Sequence, residues 1–431
     1  MTKPDWKQIC VVATAAAIFI VYLCARGCSH EPKKRFPPTR GINTVLTNEM
    51  SEFEGDGKLS RDVSNFMSRW SIKGLSLSVT RNDSLLFARG FGQADDEVPM
   101  GPGNIMRIAS VSKLFTAVGI MKLQEQGRLR LSDKVFGADG ILNDSTFTNA
   151  IKDRNYFKIN VEHLLRHEAG FSVRKGDPMF ITRDIMALNH LDTPPDHETL
   201  VRLMLRQKLW FTPGESEEYS NFGYLLLSMI IEKVTGQDYE EWMQANVLEP
   251  AGVLDMHIAG NTYEDKYPNE VRYYMQANDP TVPKFDNSGE MVVRCYGGSD
   301  IHSLSGAGAW MASTPELARF VASIDGRKQL PDILNIKSVR TMTDDFGNHR
   351  YGIGWSSVDG EQGWLRTGSL AGTNLFIMLY PDGECWVMGT NTHNWKGPRF
   401  SGYVRQFISE CRRKYSGSLP SRNLFEAEAT K

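Results

Sequence analysis

The sequence predicts an α/β fold of the α+β kind: an antiparallel sheet from the N- and C-terminal segments, flanked by helices, with a mostly helical region inserted between them. Three observations predict it. Two short alternating runs in "GLSLSVTRNDSLLFARGFG", residues 74–92, are joined by Arg81-Asn82-Asp83 and read as a β-hairpin. Past Gly347, "YGIGWSSV", "GWLRTGS", "NLFIMLYP" and "CWVMGTN" read as an antiparallel meander. Between these ends, residues 129–301 carry helical periodicity and loop composition.

The elements follow in chain order. Residues 9–25 are apolar or small throughout and bounded by Lys7 and Arg26, at the short end of the roughly 17–25 residues that span a bilayer. Residues 1–28 are therefore read as an N-terminal membrane anchor, with a cleaved signal segment or lipidation at Cys28 as the rivals. Arg26, Lys33, Lys34 and Arg35 would by the positive-inside rule alone keep the body in the cytoplasm. The expectation is nevertheless a membrane-anchored protein with a periplasmic or otherwise extracytoplasmic body. Residues 29–57 are polar, with Pro32, Pro37 and Pro38, and read as a linker to a body at 58–415.

After the hairpin, "RIASVSKLFTAVGI" (107–120) places Val111, Leu114, Phe115 and Val118 on one stripe of an amphipathic helix, which Gly127 closes. "VEHLLRHEAGF", "HETLVRLMLRQ" and "YLLLSMIIEKVTGQDYEEWMQANVL" are helical by period. Ser313-Thr314-Pro315 caps another helix. "YVRQFISECRRK" closes the body as a helix, and residues 416–431 read as a disordered tail.

Composition narrows the function. With 41% hydrophobic and 23% charged residues in 431, the chain buries a sizeable core without staples. A net charge of −2 and no clustered basic face argue against a nucleic-acid partner. Cys295, Cys385 and Cys411 are the body's cysteines and indicate no disulfide framework or zinc site, though one Cys385–Cys411 bridge stays open.

Three segments could carry chemistry. Ser110 and Lys113 are one helical turn apart, so the amine can reach the hydroxyl. Burial and the positive end of the helix dipole both disfavour the ammonium form, which would make Lys113 a base. Tyr219-Ser220-Asn221 follows a Pro-Gly turn and precedes an apolar helix; it reads as a cap and a half-buried aromatic, or as a proton relay with an amide donor. Arg366-Thr367-Gly368-Ser369 leads out of a strand, where a cation could meet a carboxylate and the Ser369 amide could join that of Ser110 as two oxyanion donors. Other signals are weaker. His163 and His167 stand at i, i+4 like zinc ligands, but no glutamate follows His163 and no third ligand is evident. No G-x-S-x-G occurs, which disfavours a nucleophile-elbow hydrolase. Tryptophans 210, 310, 355, 364 and 386 read as core or pocket wall.

In this order and spacing the three segments resemble the penicillin-recognising serine hydrolases: class C β-lactamases, DD-peptidases and related esterases. "LLRHEAGF", "FTPGESEEYSN", "GAGAWMASTPELARF" and "YGIGW" look like further stretches of that family, so the resemblance spans roughly residues 60–412. It implies a β-lactamase/transpeptidase-like fold, Ser110 as acylated nucleophile, Lys113 as proton acceptor and Tyr219 as general acid/base. It also implies that Asn221 holds the substrate amide, that Arg366 and Thr367 anchor a carboxylate, and that no cofactor or metal is needed. Arg366 departs from the usual lysine or histidine: charge is kept, but a guanidinium is a very poor proton donor, so the position is expected to bind rather than shuttle protons. The expected function is acyl-enzyme hydrolysis of an amide, β-lactam or ester in a small molecule or peptide carrying a carboxylate. The rival is a membrane-tethered, acylated sensor with negligible turnover.

Overall fold

The computed structural model describes residues 36–174, 176–327, 329–343 and 349–430. The anchor at 1–28 lies outside them, and among the described residues no helix is long and apolar enough to cross a membrane. The chain divides into Met1–Pro37 and Pro38–Lys431, and the second unit carries the fold.

A seven-stranded antiparallel sheet organises it. Its strands are β1 (Gly74–Arg81), β2 (Ser84–Asp95), β3 (Val98–Pro99), β9 (Ser357–Asp359), β10 (Gly363–Leu370), β11 (Thr373–Leu379) and β12 (Glu384–Thr390), in the order β3-β2-β1-β12-β11-β10-β9. The two ends of the chain thus meet at the β1–β12 pair, where Leu77 faces Met388 and Val79 faces Trp386. The hairpin turn forms because Asn82 (φ 47°) and Asp83 (φ 62°) both take the left-handed conformation that a two-residue turn matched to strand twist requires.

Alternation decides which face each side chain joins. Leu75, Leu77, Val79, Phe376, Met378, Trp386 and Met388 pack under α1 (Asp56–Trp70) and α11 (Phe400–Tyr415). On the opposite face, Ser76 and Ser78 both hydrogen-bond Thr314, at 2.7 and 2.8 Å, while Leu375, Ile377 and Val387 join the larger core. That core holds α2 (Ser112–Glu125), the short helices α3 (Ser145–Ala150), α4 (Val161–Leu165), α5 (Thr182–Asn189) and α6 (His197–Met204), then α7 (Asn221–Thr235), α8 (Tyr239–Met243), α9 (Thr314–Ala322) and α10 (Ile336–Thr343). A small sheet, β4 (Met106–Arg107), β8 (Trp310–Ala312) and β5 (His257–Ile258), leads the chain into α2; β6 (Val282–Pro283) and β7 (Met291–Val292) form a separate ribbon.

Several expectations need correction. Helix α2 is buried on nearly every side rather than amphipathic: Phe115 stacks on Phe320 at 4.0 Å, and Thr116 donates to the Gly306 carbonyl. Of "YGIGWSSV" only the end is strand: Gly354 takes a left-handed φ of 81°, which interrupts an extended run, and a side chain there would press on Leu114 and Ala117 of α2. Helix α1 was not among the expected elements, although Leu59, Val63, Phe66, Met67 and Trp70 form its buried stripe. The linker and the tail are not loose where described. Ile42 and Leu46 pack with Leu424 and Phe425 against Leu85 and Ala88 of β2, and Asn423 accepts from the Leu85 amide. Cys295, Cys385 and Cys411 are free and buried, so there is no Cys385–Cys411 bridge.

Candidate active site

The nucleophile candidate sits where strand becomes helix. The Ile108 amide donates to the Trp310 carbonyl, the Thr373 hydroxyl donates to the Arg107 carbonyl, and Ala109 takes a left-handed φ of 50°. A non-glycine residue there is strained and is held only by its surroundings. Strand β10 crosses this turn closely: a Cβ on Gly368 would lie 2.3 Å from the Ile108 carbonyl oxygen and 3.1 Å from the Ser110 amide nitrogen. Glycine at 368 is what lets the sheet edge reach the nucleophile.

Lys113 is fully buried in the first turn of α2. Its Nζ donates to Asn221 Oδ1 and to the Ala307 carbonyl, each at 2.6 Å, and to Ser110 Oγ at 3.4 Å. It also lies over the rings of Tyr219 and Tyr224, at 4.8 and 5.5 Å from the centroids. Burial lowers the amine's pKa, the neighbouring Tyr219 opposes this, and the Arg366 charge lowers it further. Tyr219 OH is 2.6 Å from Ser110 Oγ. Burial alone would raise the phenol, but the charges of Lys113 and Arg366 and hydrogen bonds from Lys113 and Ser110 carry it below its ordinary value. A hydroxyl, a phenol and an amine therefore meet with both titrating groups shifted so that their protons leave more readily.

Asn221 follows the cap rather than forming it: the Ser220 hydroxyl accepts from the Gly223 amide and starts α7. Asn221 bridges Lys113 to Asp177, donating from Nδ2 to Asp177 Oδ2 at 2.6 Å. The amide expected to hold substrate is thus engaged on both sides. Arg366 departs from expectation too. It is 3% exposed, and its Nε donates to the Ser110 carbonyl at 2.9 Å, as does its Nη2. Its fork closes on the nucleophile's own backbone instead of an open carboxylate site. Ser110, Tyr219, Arg366, Thr367 and Ser369 line one cleft of about 330 Å³, with Lys113 and Asn221 behind its wall. Ser369 is exposed and its hydroxyl donates to Asn374 at 3.0 Å.

The two histidines considered as metal ligands do not share a helix face. Helix α4 ends at Leu165, and His167 has a φ of 64°. His163 Nδ1 accepts from the Asn160 amide in a capping box. His167 Nδ1 accepts from the Ser220 amide, and its ring lies 4.6 Å from that of Tyr219. Burial, with the Lys113 and Arg366 charges, keeps His167 well below its ordinary pKa, so it is neutral and positions the phenol. Glu168, Glu217 and His349 bring ligand atoms within 4.8 Å of one another, with His349 Nδ1 2.6 Å from Glu168 Oε1. Sequence reasoning missed Asp177, which follows Gly176 in an irregular loop and has no periodic signal.

A family model described as Beta-lactamase matches residues 59–405. This chain belongs to the beta-lactamase family. Among relatives of that family, Protein flp of Staphylococcus aureus (strain MW2) is 24% identical over 350 residues, covering 78% of this chain and 62% of flp; the chain thus spans under two thirds of the length of the first relatives it matches. The octameric penicillin-binding protein homologue from Pyrococcus abyssi superposes with a TM-score of 0.56 at 26% identity, covering 82% of this chain and 77% of that one. D-amino acid amidase from Ochrobactrum anthropi SV3, in complex with D-phenylalanine, superposes with a TM-score of 0.66 at 20% identity over 85% of this chain and 99% of that one, a likeness of fold. The motif resemblance and the α+β architecture agree with these matches.

Proposed function

We propose that the chain is a serine hydrolase of the class C-like type that forms an acyl-enzyme at Ser110 on an amide, lactam or ester. One observation carries the reading: Ser110 Oγ lies 2.6 Å from the Tyr219 hydroxyl and 3.4 Å from Lys113 Nζ, with both of those groups lowered in pKa. Sequence reasoning gave the serine proton to Lys113 directly. The distances favour the Tyr219 phenolate as the immediate acceptor, with the Lys113 charge favouring that ionised form before it takes the proton.

The steps balance without a cofactor. The Tyr219 phenolate takes the Ser110 proton and becomes a neutral phenol as Oγ bonds to the carbonyl carbon; the amides of Ser110 and Ser369 hold the oxyanion. Collapse breaks the bond to the amine or alcohol, which leaves with the proton from Tyr219. Water then gives a proton to the regenerated Tyr219 phenolate and attacks the ester carbonyl; collapse breaks the Oγ–acyl bond, Tyr219 returns the proton to Ser110 Oγ, and the acid leaves. Arg366 positions the turn by holding the Ser110 carbonyl, so recognition of a substrate carboxylate falls to the Thr367 and Ser369 hydroxyls. Residues 9–25 tether this body to a membrane, with the catalytic unit extracytoplasmic.

The test is the full chain offered a chromogenic lactam and a short-chain nitrophenyl ester, followed by intact mass and peptide mapping. Turnover that vanishes in Ser110→Ala, with any adduct mapped to Ser110, supports the hydrolase. A stoichiometric adduct that persists returns the sensor reading, and labelling elsewhere overturns the site.

A further inference from the structure

A second cavity, of about 580 Å³, opens in the helical insertion beside the candidate active site. Its size falls within the roughly 300–1,000 Å³ of small-molecule sites. Phe171, Ile181, Ile185, Leu203, Leu209 and Phe222 give it an apolar body. At its mouth stand side chains that a soluble protein ordinarily covers: Leu188 is 77% exposed, Trp210 47% and Val173 41%. Its inner wall is made by Asp177 and Ser220. Asp177 bonds Asn221 and Asn221 bonds Lys113, so two side-chain hydrogen bonds separate this wall from Lys113, and Ser220 is the chain neighbour of Tyr219, the proposed base. The Ser110 cleft, at about 330 Å³, is the smaller of the two spaces.

We infer that this cavity is the acyl pocket of the enzyme. The acyl chain of an ester or amide lies in it, its carbonyl reaching Ser110 past the Asp177–Asn221 bond. The inference rests on the hydrolase reading above and deepens it by naming the substrate class: molecules whose acyl part is a medium-length unbranched or arylalkyl chain. The mouth is cationic, since Arg206 and Lys208 line it with no ion-pair partner among the described residues. A tail ending in an ammonium group is therefore disfavoured relative to a neutral or anionic one.

The experiment uses the full chain in two arms. In the first, kcat/KM is measured for nitrophenyl acetate, butyrate, octanoate and dodecanoate. The rate constant rises by up to about fourfold per added methylene until the cavity is full. Leu203→Trp, which narrows the cavity, lowers the octanoate-to-acetate ratio at least tenfold, and Leu188→Asp, on the exposed rim, lowers it without a change in melting. In the second arm, a dansyl-labelled fatty acid is titrated into Ser110→Ala, where no chemistry intervenes; it binds, decanoate displaces it, and Leu203→Trp weakens it. Brisk turnover of acetate with a flat chain-length series and no probe binding overturns the pocket assignment and leaves the hydrolase intact. No turnover of any ester, with the probe bound, overturns the hydrolase and with it the acyl role. Probe binding that leaves the series flat makes the cavity an independent fatty-acid site and also overturns the inference.

Discussion

Gly368→Ala tests the closest contact between the sheet and the nucleophile. The added Cβ would sit 2.3 Å from the Ile108 carbonyl oxygen, a backbone atom that cannot swing aside, where contacts below 3.0 Å are essentially never found. Strand β10 and the 109–111 turn must separate by about 0.7 Å, and the same Cβ also presses the Ser110 amide nitrogen at 3.1 Å. Overpacking of this kind costs roughly 1–3 kcal/mol. The catalytic cost is larger, because a misplacement near 1 Å lowers rates by about 10²-fold. The assay pairs kcat/KM on a nitrophenyl ester with a thermal melt. The expected result is a loss of about two orders of magnitude with a Tm only a few degrees lower. Gly402→Ala is the control: its Cβ on helix α11 meets nothing within 4 Å, and it should melt slightly higher with activity unchanged. A Gly368→Ala protein with kcat/KM within about threefold of wild type, an effect far short of the expectation, would refute the reasoning.

Three further outcomes follow from the same geometry. Tyr219→Phe removes the group 2.6 Å from Ser110 Oγ and should cost 10²–10⁴-fold in kcat while intact-protein mass spectrometry still finds the fold able to bind a labelled substrate. Arg366→Gln removes a charge that lowers the pKa of both Lys113 and Tyr219, so both rise and the acidic limb of the kcat/KM profile moves to higher pH. His257 is buried, which alone would lower its pKa, but Asp255 and Glu240 lift it to about 9. Because the folded pKa lies above the unfolded value near 6.5, its stabilisation, on the order of 3 kcal/mol, is fully present below pH ~6.5 and lost as pH rises through about 9. His257→Asn should flatten melting temperature against pH across that window; an unchanged slope would exclude the ion pairs as its cause.

Local rules made the hairpin, the caps and the Ser110–Lys113 turn legible. Asn82-Asp83 has a turn chemistry of its own, and the Leu-Ser-Leu-Ser-Val alternation of β1 records two faces, one apolar and one meeting Thr314. Ser313 accepts from Glu316 as a cap must. What was illegible depends on partners far along the chain. Nothing near Arg366 says that its guanidinium closes on the Ser110 carbonyl, 256 positions away. Nothing near Asp177 says that it completes the hydrogen bonds of Asn221. The polar composition of 36–57 and 416–430 hid Ile42, Leu46, Leu424 and Phe425, four apolar residues that bury only because both ends reach β2 together. Helix α1 is different, since its stripe was readable by period alone.

The union of β1 with β12 has a consequence during synthesis. The first hairpin leaves the ribosome with its inner edge bare, and the strand that covers it ends at Thr390. At roughly 5–20 residues per second, some 300 residues of translation leave that edge uncovered for about 15–60 s. A nascent chain of this design therefore needs something to shield an adhesive ribbon until translation is nearly over, and its yield in a cell should track chaperone supply more closely than the stability of the finished molecule.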